Sequence, residues 1–230
     1  MTAEPPDYIG HRQRLQERFR KDLGKSMPDY ELLELLLSGF IPRKDVKPIA
    51  KAMINKYGNL SEVLNASIED LIAFKGISIT IATYLKAINA SGVRTGWQKL
   101  KNDTTTILSK WDAMVNYCRS AMGYSDVEEF RLIFLNNKHE VIGEEVQQRG
   151  TISEVVVHPR EVIKSLINSG ATSFIMAHNH PSGDVRPSQV DIEVTKQINE
   201  AAKLVGITLI DHIIVSKNLA FSFKDLGMID

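Results

Sequence analysis

Apolar positions along this chain follow two rhythms, and the change from one to the other divides it. Up to about residue 90 the spacing is helical. Leu15 and Phe19 stand four apart in the basic run from His11 to Lys21, which predicts a helix with one inward face. Tyr30 to Leu37 is short and strongly apolar, opened by Pro28-Asp29 and stopped by Ser38-Gly39. Asp45 to Lys56 places Val46, Ile49, Ala50, Met53 and Ile54 on one face and ends at Gly58. Ser61 opens a short turn anchored by Val63 and Leu64. Ser67, with Asp70 three residues on, starts a helix over Ile68 to Phe74. Lys75-Gly76-Ile77-Ser78 breaks the chain, and Ile79 to Ala90 is helical again.

Ser91 to Thr106 has no sustained apolar period and reads as a linker. Beyond it, extended runs alternate with helical ones. Ser109 to Ala121 is a helix with Trp111, Met114, Val115 and Cys118 inward. Glu129 to Leu135 and Glu140 to Gln148 flank the turn Asn136-Asn137-Lys138-His139 and predict a hairpin. Thr151 to Val157 is a further extended run. His158-Pro-Arg-Glu161 begins a helix with Val162, Ile163, Leu166 and Ile167 inward. Ser173 to Ala177 is a short apolar run between Gly170 and Pro181-Ser182-Gly183, the pattern of a buried strand. A loop, a helix over Gln189 to Val205 capped by Ser188, and strands over Ile207 to Val215 and Leu219 to Phe223 complete the chain. The order β-β-α-β-α-β-β predicts an α/β domain with a mixed sheet and helices on its faces. The expected organisation is an all-α unit over 1–95, a linker over 96–104 and the α/β domain over 105–230.

Composition narrows the class. With 43% hydrophobic residues in 230, a core is easily filled. No run of about 18 apolar residues exists, so no membrane association is expected. The N-terminus lacks a basic stretch followed by an apolar one, so no signal peptide is expected. Cys118 stands alone, so neither an internal disulfide nor a cysteine zinc site can form, and its helical spacing makes it core. A cytoplasmic location fits. Net charge is zero, with a modest basic excess in the first hundred residues.

The chemistry is concentrated after the buried strand. His178 and His180 are two apart at its end, so their side chains leave one face. Asp191 lies in the first turn of the next helix, and the loop can fold it back to the imidazoles. Two histidines and an aspartate are three N/O ligands; a Zn²⁺ so held keeps a fourth position for water, the layout of a catalytic site. Taken singly, Asp191 is equally a helix N-terminal charge and Ser188 equally a cap.

Together these residues spell His-x-His, seven residues, Ser, two residues, Asp, which resembles the JAMM (MPN-plus, or JAB) metalloprotease signature. The wider wording is similar to the bacterial RadC family: His178-Asn-His180-Pro-Ser-Gly-Asp, with His158-Pro-Arg-Glu161 before it and Leu209-Ile-Asp211-His212-Ile-Ile after it. The resemblance is strong over roughly residues 105 to 228. It implies a JAB/MPN, cytidine-deaminase-like fold, a Zn²⁺ on His178, His180 and Asp191, hydrolysis of an amide or isopeptide bond in a peptide or protein, and a link to DNA repair. It also implies a glutamate base on another strand. Glu144 and Glu145 are adjacent candidates, of which alternation lets one face the site. Glu145 is preferred because it lies five residues before Gly150-Thr151, where the RadC pattern often carries an acid. Ser188 matches the JAMM serine, whose hydroxyl can bond a developing oxyanion. A zinc deaminase wants Cys-x-x-Cys and His-x-Glu, which this chain lacks. Asp211-His212, within an apolar strand, reads as a core pair or as support for a ligand.

In the N-terminal unit, helix, glycine hairpin, helix has the form of a helix-hairpin-helix element. Backbone N–H groups at such a turn can hold a DNA phosphate without reading bases. Lys75 and Lys86 would add charge there, and Arg12, Arg14, Arg18, Arg20 and Lys21 form a second basic face. Ser78 stands where a second hairpin glycine is usual. Against DNA contact stands a plain helical bundle with a solvated basic face.

Overall fold

The computed structural model describes residues 8–42, 44–149 and 157–229. It divides into two compact units, 1–92 and 93–230.

The first unit is helical: α1 (Tyr8–Asp22), α2 (Asp29–Phe40), α3 (Lys47–Tyr57), α4 (Leu60–Asn65), α5 (Ile68–Ile72) and the first part of α6 (Ile79–Asn102). Its core gathers Leu33, Leu37, Ala50, Met53, Leu71 and Leu85. Helix α2 runs through Ser38-Gly39 to Phe40, past its expected stop. The side chains of Asn59 and Ser67 cap α4 and α5 by accepting from Glu62 N and Asp70 N.

Helix α6 does not break at the expected linker. Residues 96–102 continue it, and the division between the units falls inside it. The polar stretch conceals a sparse stripe, Val93, Trp97 and Leu100, that joins the core of the second unit. Trp97 packs on Tyr117 with ring centroids 5.1 Å apart.

The second unit is a five-stranded mixed sheet in the order β2-β1-β3-β4-β5. The strands are β1 (Glu129–Leu135), β2 (Val141–Arg149), β3 (Ser173–Asn179), β4 (Thr208–Val215) and β5 (Ala220–Ser222). β3 and β4 are parallel, and the other neighbours are antiparallel. The extended run expected over 151–157 lies, but for Val157, outside the described residues. Helices α8 (Pro159–Ser169) and α9 (Gln189–Leu204) cover one face, packing Val162, Leu166, Ile198 and Ala202 on Phe174 and Met176. Helix α7 (Trp111–Met122), preceded by a 3-10 turn, covers the other with Met114, Tyr117 and Cys118 against Ile175 and Ala177. Both faces being covered, every residue of β3 is buried. That is why its sequence reads as a continuous apolar run rather than an alternation. Burial pushes the Cys118 thiol up to about 12, in keeping with a core residue.

Candidate metal centre

Strand alternation decides what β3 presents at its end. Phe174 and Met176 point into the α8/α9 core, Ile175 and Ala177 into the α7 core, so His178 emerges toward α9. The next residue, Asn179, points the other way and pins the start of β1. Its Oδ1 accepts from Glu129 N (2.8 Å) and its Nδ2 donates to Val127 O (3.1 Å). His180 N donates to Val215 O (3.0 Å), holding the second histidine at the mouth of the sheet. The chain then turns at His180-Pro-Ser-Gly183, closed by Gly183 N to His180 O (3.1 Å). Gly183 has φ +88, a conformation that a β-carbon strains.

Ser188 and Asp191 form a reciprocal cap at the start of α9. Ser188 Oγ accepts from Asp191 N (3.1 Å), while Ser188 N and Oγ both donate to Asp191 Oδ2 (2.7 and 2.6 Å). One carboxylate oxygen is therefore committed to the cap, and Oδ1 is left facing His178. Both residues make the cap, and the same geometry leaves Asp191 Oδ1 turned to His178.

The structure brings His178, His180 and Asp191 together, with one ligand atom from each lying within 4.8 Å of the others. His178 Nε2 is 2.9 Å from His180 Nε2 and 3.3 Å from Asp191 Oδ1; His180 Nε2 is 3.6 Å from Asp191 Oδ2. Two bonds of about 2.05 Å at a tetrahedral angle separate their donor atoms by about 3.3 Å, so the trio fits a small divalent ion. His180 Nδ1 lies 2.7 Å from the carbonyl oxygen of Asp184. A carbonyl only accepts, so Nδ1 carries a proton, and in the neutral ring Nε2 is then the lone-pair nitrogen.

The charges are tuned to match. Burial alone would raise the Asp191 carboxyl, but the two imidazoles and Ser188 outweigh it and hold the group far below the usual carboxylate range. Burial likewise lowers His180, yet Asp191 and the Asp184 carbonyl reverse the balance and raise it. Burial drives His212 well below the ordinary imidazole value.

The supporting residues are less evenly foreseen. His212 and Asp211 are not a pair. Asp211 turns to the opposite face, accepting from Ser222 Oγ and from the amides of His212 and Lys224 (2.7 and 2.9 Å). His212 Nε2 meets His178 Nδ1 at 2.8 Å, and Thr195 Oγ1 meets His212 Nδ1 at 2.6 Å. Thr195 was not anticipated. The signal was present in its position four residues after Asp191, on the same face of α9. Asp184 contributes its carbonyl rather than its carboxylate, which is paired with Arg186.

Register settles which way the two strand glutamates point. Glu145 lies opposite Leu132 and so on the histidine face; Glu144 lies opposite Ile133 and on the α7 face. The Glu145 carboxylate accepts from Gln147 Nε2 (2.8 Å) and Ser165 Oγ (3.1 Å). It stands two strands from β3, about 10 Å across the sheet. Glu144 is bound by Tyr117 OH (2.7 Å) and Arg131 Nη1 (2.9 Å).

Known proteins resemble this chain over most of its length. A family model described as a RadC-like JAB domain matches residues 108–228. Over 223 residues the chain is 42% identical to UPF0758 protein SPO0054 of Ruegeria pomeroyi, covering 96% of this chain and 99% of that protein.

Proposed function

This chain belongs to the RadC family of JAB-domain proteins, and we propose that it is a zinc-dependent hydrolase of the JAMM type acting on an amide or isopeptide bond. The observation that carries the proposal is the convergence of His178 Nε2, His180 Nε2 and Asp191 Oδ1 on one point at the end of a fully buried strand. His178, His180 and Asp191 would hold the ion. Zinc bound there would supply a water with a pKa of about 7 and polarise the scissile carbonyl.

The chain's own residues have three tasks. Asp191 and the two histidines fix the reacting centre at the mouth between β3 and α9. Glu145, on the same sheet face, takes the proton of the attacking water and returns it to the leaving amine. To do so it exchanges its bonds to Ser165 and Gln147 for that water. Ser188 turns its hydroxyl from Asp191 toward the carbonyl oxygen as charge develops there. The test is the Glu145→Gln variant, which should keep its zinc and lose hydrolysis of peptide and isopeptide substrates.

A second reading is favoured by two observations, that the Glu145 carboxylate is tied to α8 and the Ser188 proton to Asp191. On it the metal is structural and the protein is a DNA-associated factor. Zinc-loaded parent protein that cleaves nothing across a broad peptide and isopeptide library would decide for it.

We also propose that the helical unit contacts DNA phosphates through the hairpin between α5 and α6, without reading bases. Lys75 is exposed beside Gly76, whose φ is +101, and Ser78 Oγ caps the new helix by accepting from Ile81 N (3.3 Å). Lys86 is not part of this contact. Its ammonium caps α4, donating to the carbonyls of Asn65 (2.9 Å) and Ala66 (3.1 Å), and burial lowers its pKa. Arg12 is likewise spent on the carbonyls of Ile41 and Lys44, and Arg18 on Glu31. Arg14, Arg20 and Lys21 remain exposed.

A further inference from the structure

Three buried groups behind the centre form a chain of hydrogen bonds whose direction can be worked out. Thr195 Oγ1 lies 2.5 Å from the carbonyl oxygen of Asp191. Two oxygens that close need a proton between them, and a carbonyl has none, so the threonine hydroxyl donates. That hydroxyl has no second proton. His212 Nδ1, 2.6 Å from the same oxygen, must therefore carry one and donate it to Thr195. His212 is wholly buried, and its ring nitrogens meet Thr195 and His178, neither of them a carboxylate, so the ring sits there in its neutral form with Nε2 as acceptor. Its partner at 2.8 Å, His178 Nδ1, must then be the donor.

We propose that Thr195 and His212 are positioning residues that fix His178 as the Nδ1-protonated tautomer, leaving its Nε2 lone pair directed at the space shared with His180 and Asp191. This rests on the zinc-centre reading above and gives that centre its second layer. The relay begins and ends on the site. Its terminal acceptor is the backbone of Asp191, so the same helical turn that supplies the carboxylate also sets the imidazole. His180 reaches the same tautomer by a separate route, through the Asp184 carbonyl. With both rings neutral and protonated at Nδ1, the two Nε2 atoms, 2.9 Å apart, face each other as acceptors, a pair that a proton or a metal ion between them relieves. Thr195 and His212 are both buried, so water cannot replace a lost partner.

The test uses the full chain. Long-range ¹H–¹⁵N correlation of the histidine rings in metal-free protein at mildly alkaline pH should show His212 and His178 protonated at Nδ1. Thr195→Val, which keeps shape and removes the hydroxyl, should weaken zinc binding about ten- to hundredfold in competition with a chromogenic chelator. Thr195→Ser should restore it, and His212→Gln should weaken it at least as much as Thr195→Val. A proton on His178 Nε2 in the parent overturns the relay, as does a Thr195→Val protein that folds and binds zinc like the parent. Parent protein that takes up no zinc would instead remove the metal reading, and the ring spectra would still decide the tautomer.

Discussion

The two faces of the sheet each carry a buried polar network, and they differ in what is left over. On the α7 face, Arg131 donates to Glu129 (2.5 Å) and Glu144 (2.9 Å), and Tyr117 OH binds Glu144. Opposite charges and donors meet acceptors until the cluster is closed. On the α9 face, the chain from Thr195 through His212 to His178 ends at His178 Nε2, which meets His180 Nε2 at 2.9 Å and Asp191 Oδ1 at 3.3 Å, three metal-ligating atoms turned toward one another. A satisfied network holds a fold together; a convergent one with acceptors to spare is built for a cation. Adjacent residues of β2 take opposite sides in this division, Glu144 in the closed network and Glu145 on the open face.

The comparison predicts separable failures. The largest effect on stability belongs to the closed face. Arg131→Ala leaves the buried Glu129 and the half-buried Glu144 without their cation and should destabilise by about 3–5 kcal/mol in urea unfolding. Zinc content should be unchanged; joint loss of fold and metal would mean the faces are not independent.

On the open face, Glu145→Gln should lower hydrolysis by about 10²-fold or more while zinc content and unfolding midpoint stay at parent values. Glu144→Gln should keep activity and lose stability instead. The reverse pattern would contradict the register that assigns the two side chains.

Acid should act on the open face first. His180 must be neutral to bind metal, and its raised proton affinity means that protons already compete above pH 6.5. Zinc affinity measured against a chelator should therefore fall as pH drops from about 8 toward 6, by up to about tenfold per unit for each proton displaced. Asp191, held far down, stays ionised throughout and adds nothing to this slope. Affinity that is flat to pH 6 would mean that His180 does not bind the metal.

The smallest effect belongs to the helical unit. Lys75→Ala should weaken duplex binding by the full chain about equally across sequences and reduce the salt slope by about one. The Lys86→Ala protein should lose stability rather than DNA affinity. Anisotropy titrations at low salt read both, and an unchanged affinity in Lys75→Ala would leave the hairpin a structural turn.

What could be read from the sequence follows from the range over which each feature is specified. Strands β1 and β3 and the Ser188 cap rest on local pattern, and the placing of His178, His180 and Asp191 rests on spacing within one strand, one loop and one helical turn. Gly76 and Gly183 were visible for the same reason. The continuation of α6 was not, because Val93, Trp97 and Leu100 are a stripe only once the sheet's α7 core is there to receive them. Charge was the poorest guide. Arg12, Arg18 and Lys86 looked like phosphate ligands and are occupied by carbonyls and a carboxylate of their own unit. His212 and Asp211 are neighbours in sequence, yet alternation sends them to opposite faces, so the partner of His212 is His178, 34 residues away.

The central claim is that the open face is a metal centre. Elemental analysis of the parent with the His178→Ala, His180→Ala and Asp191→Ala proteins tests it most directly. The account predicts about one zinc per chain in the parent and a large loss in each variant, with the fold retained. Full zinc occupancy in all three variants would contradict it.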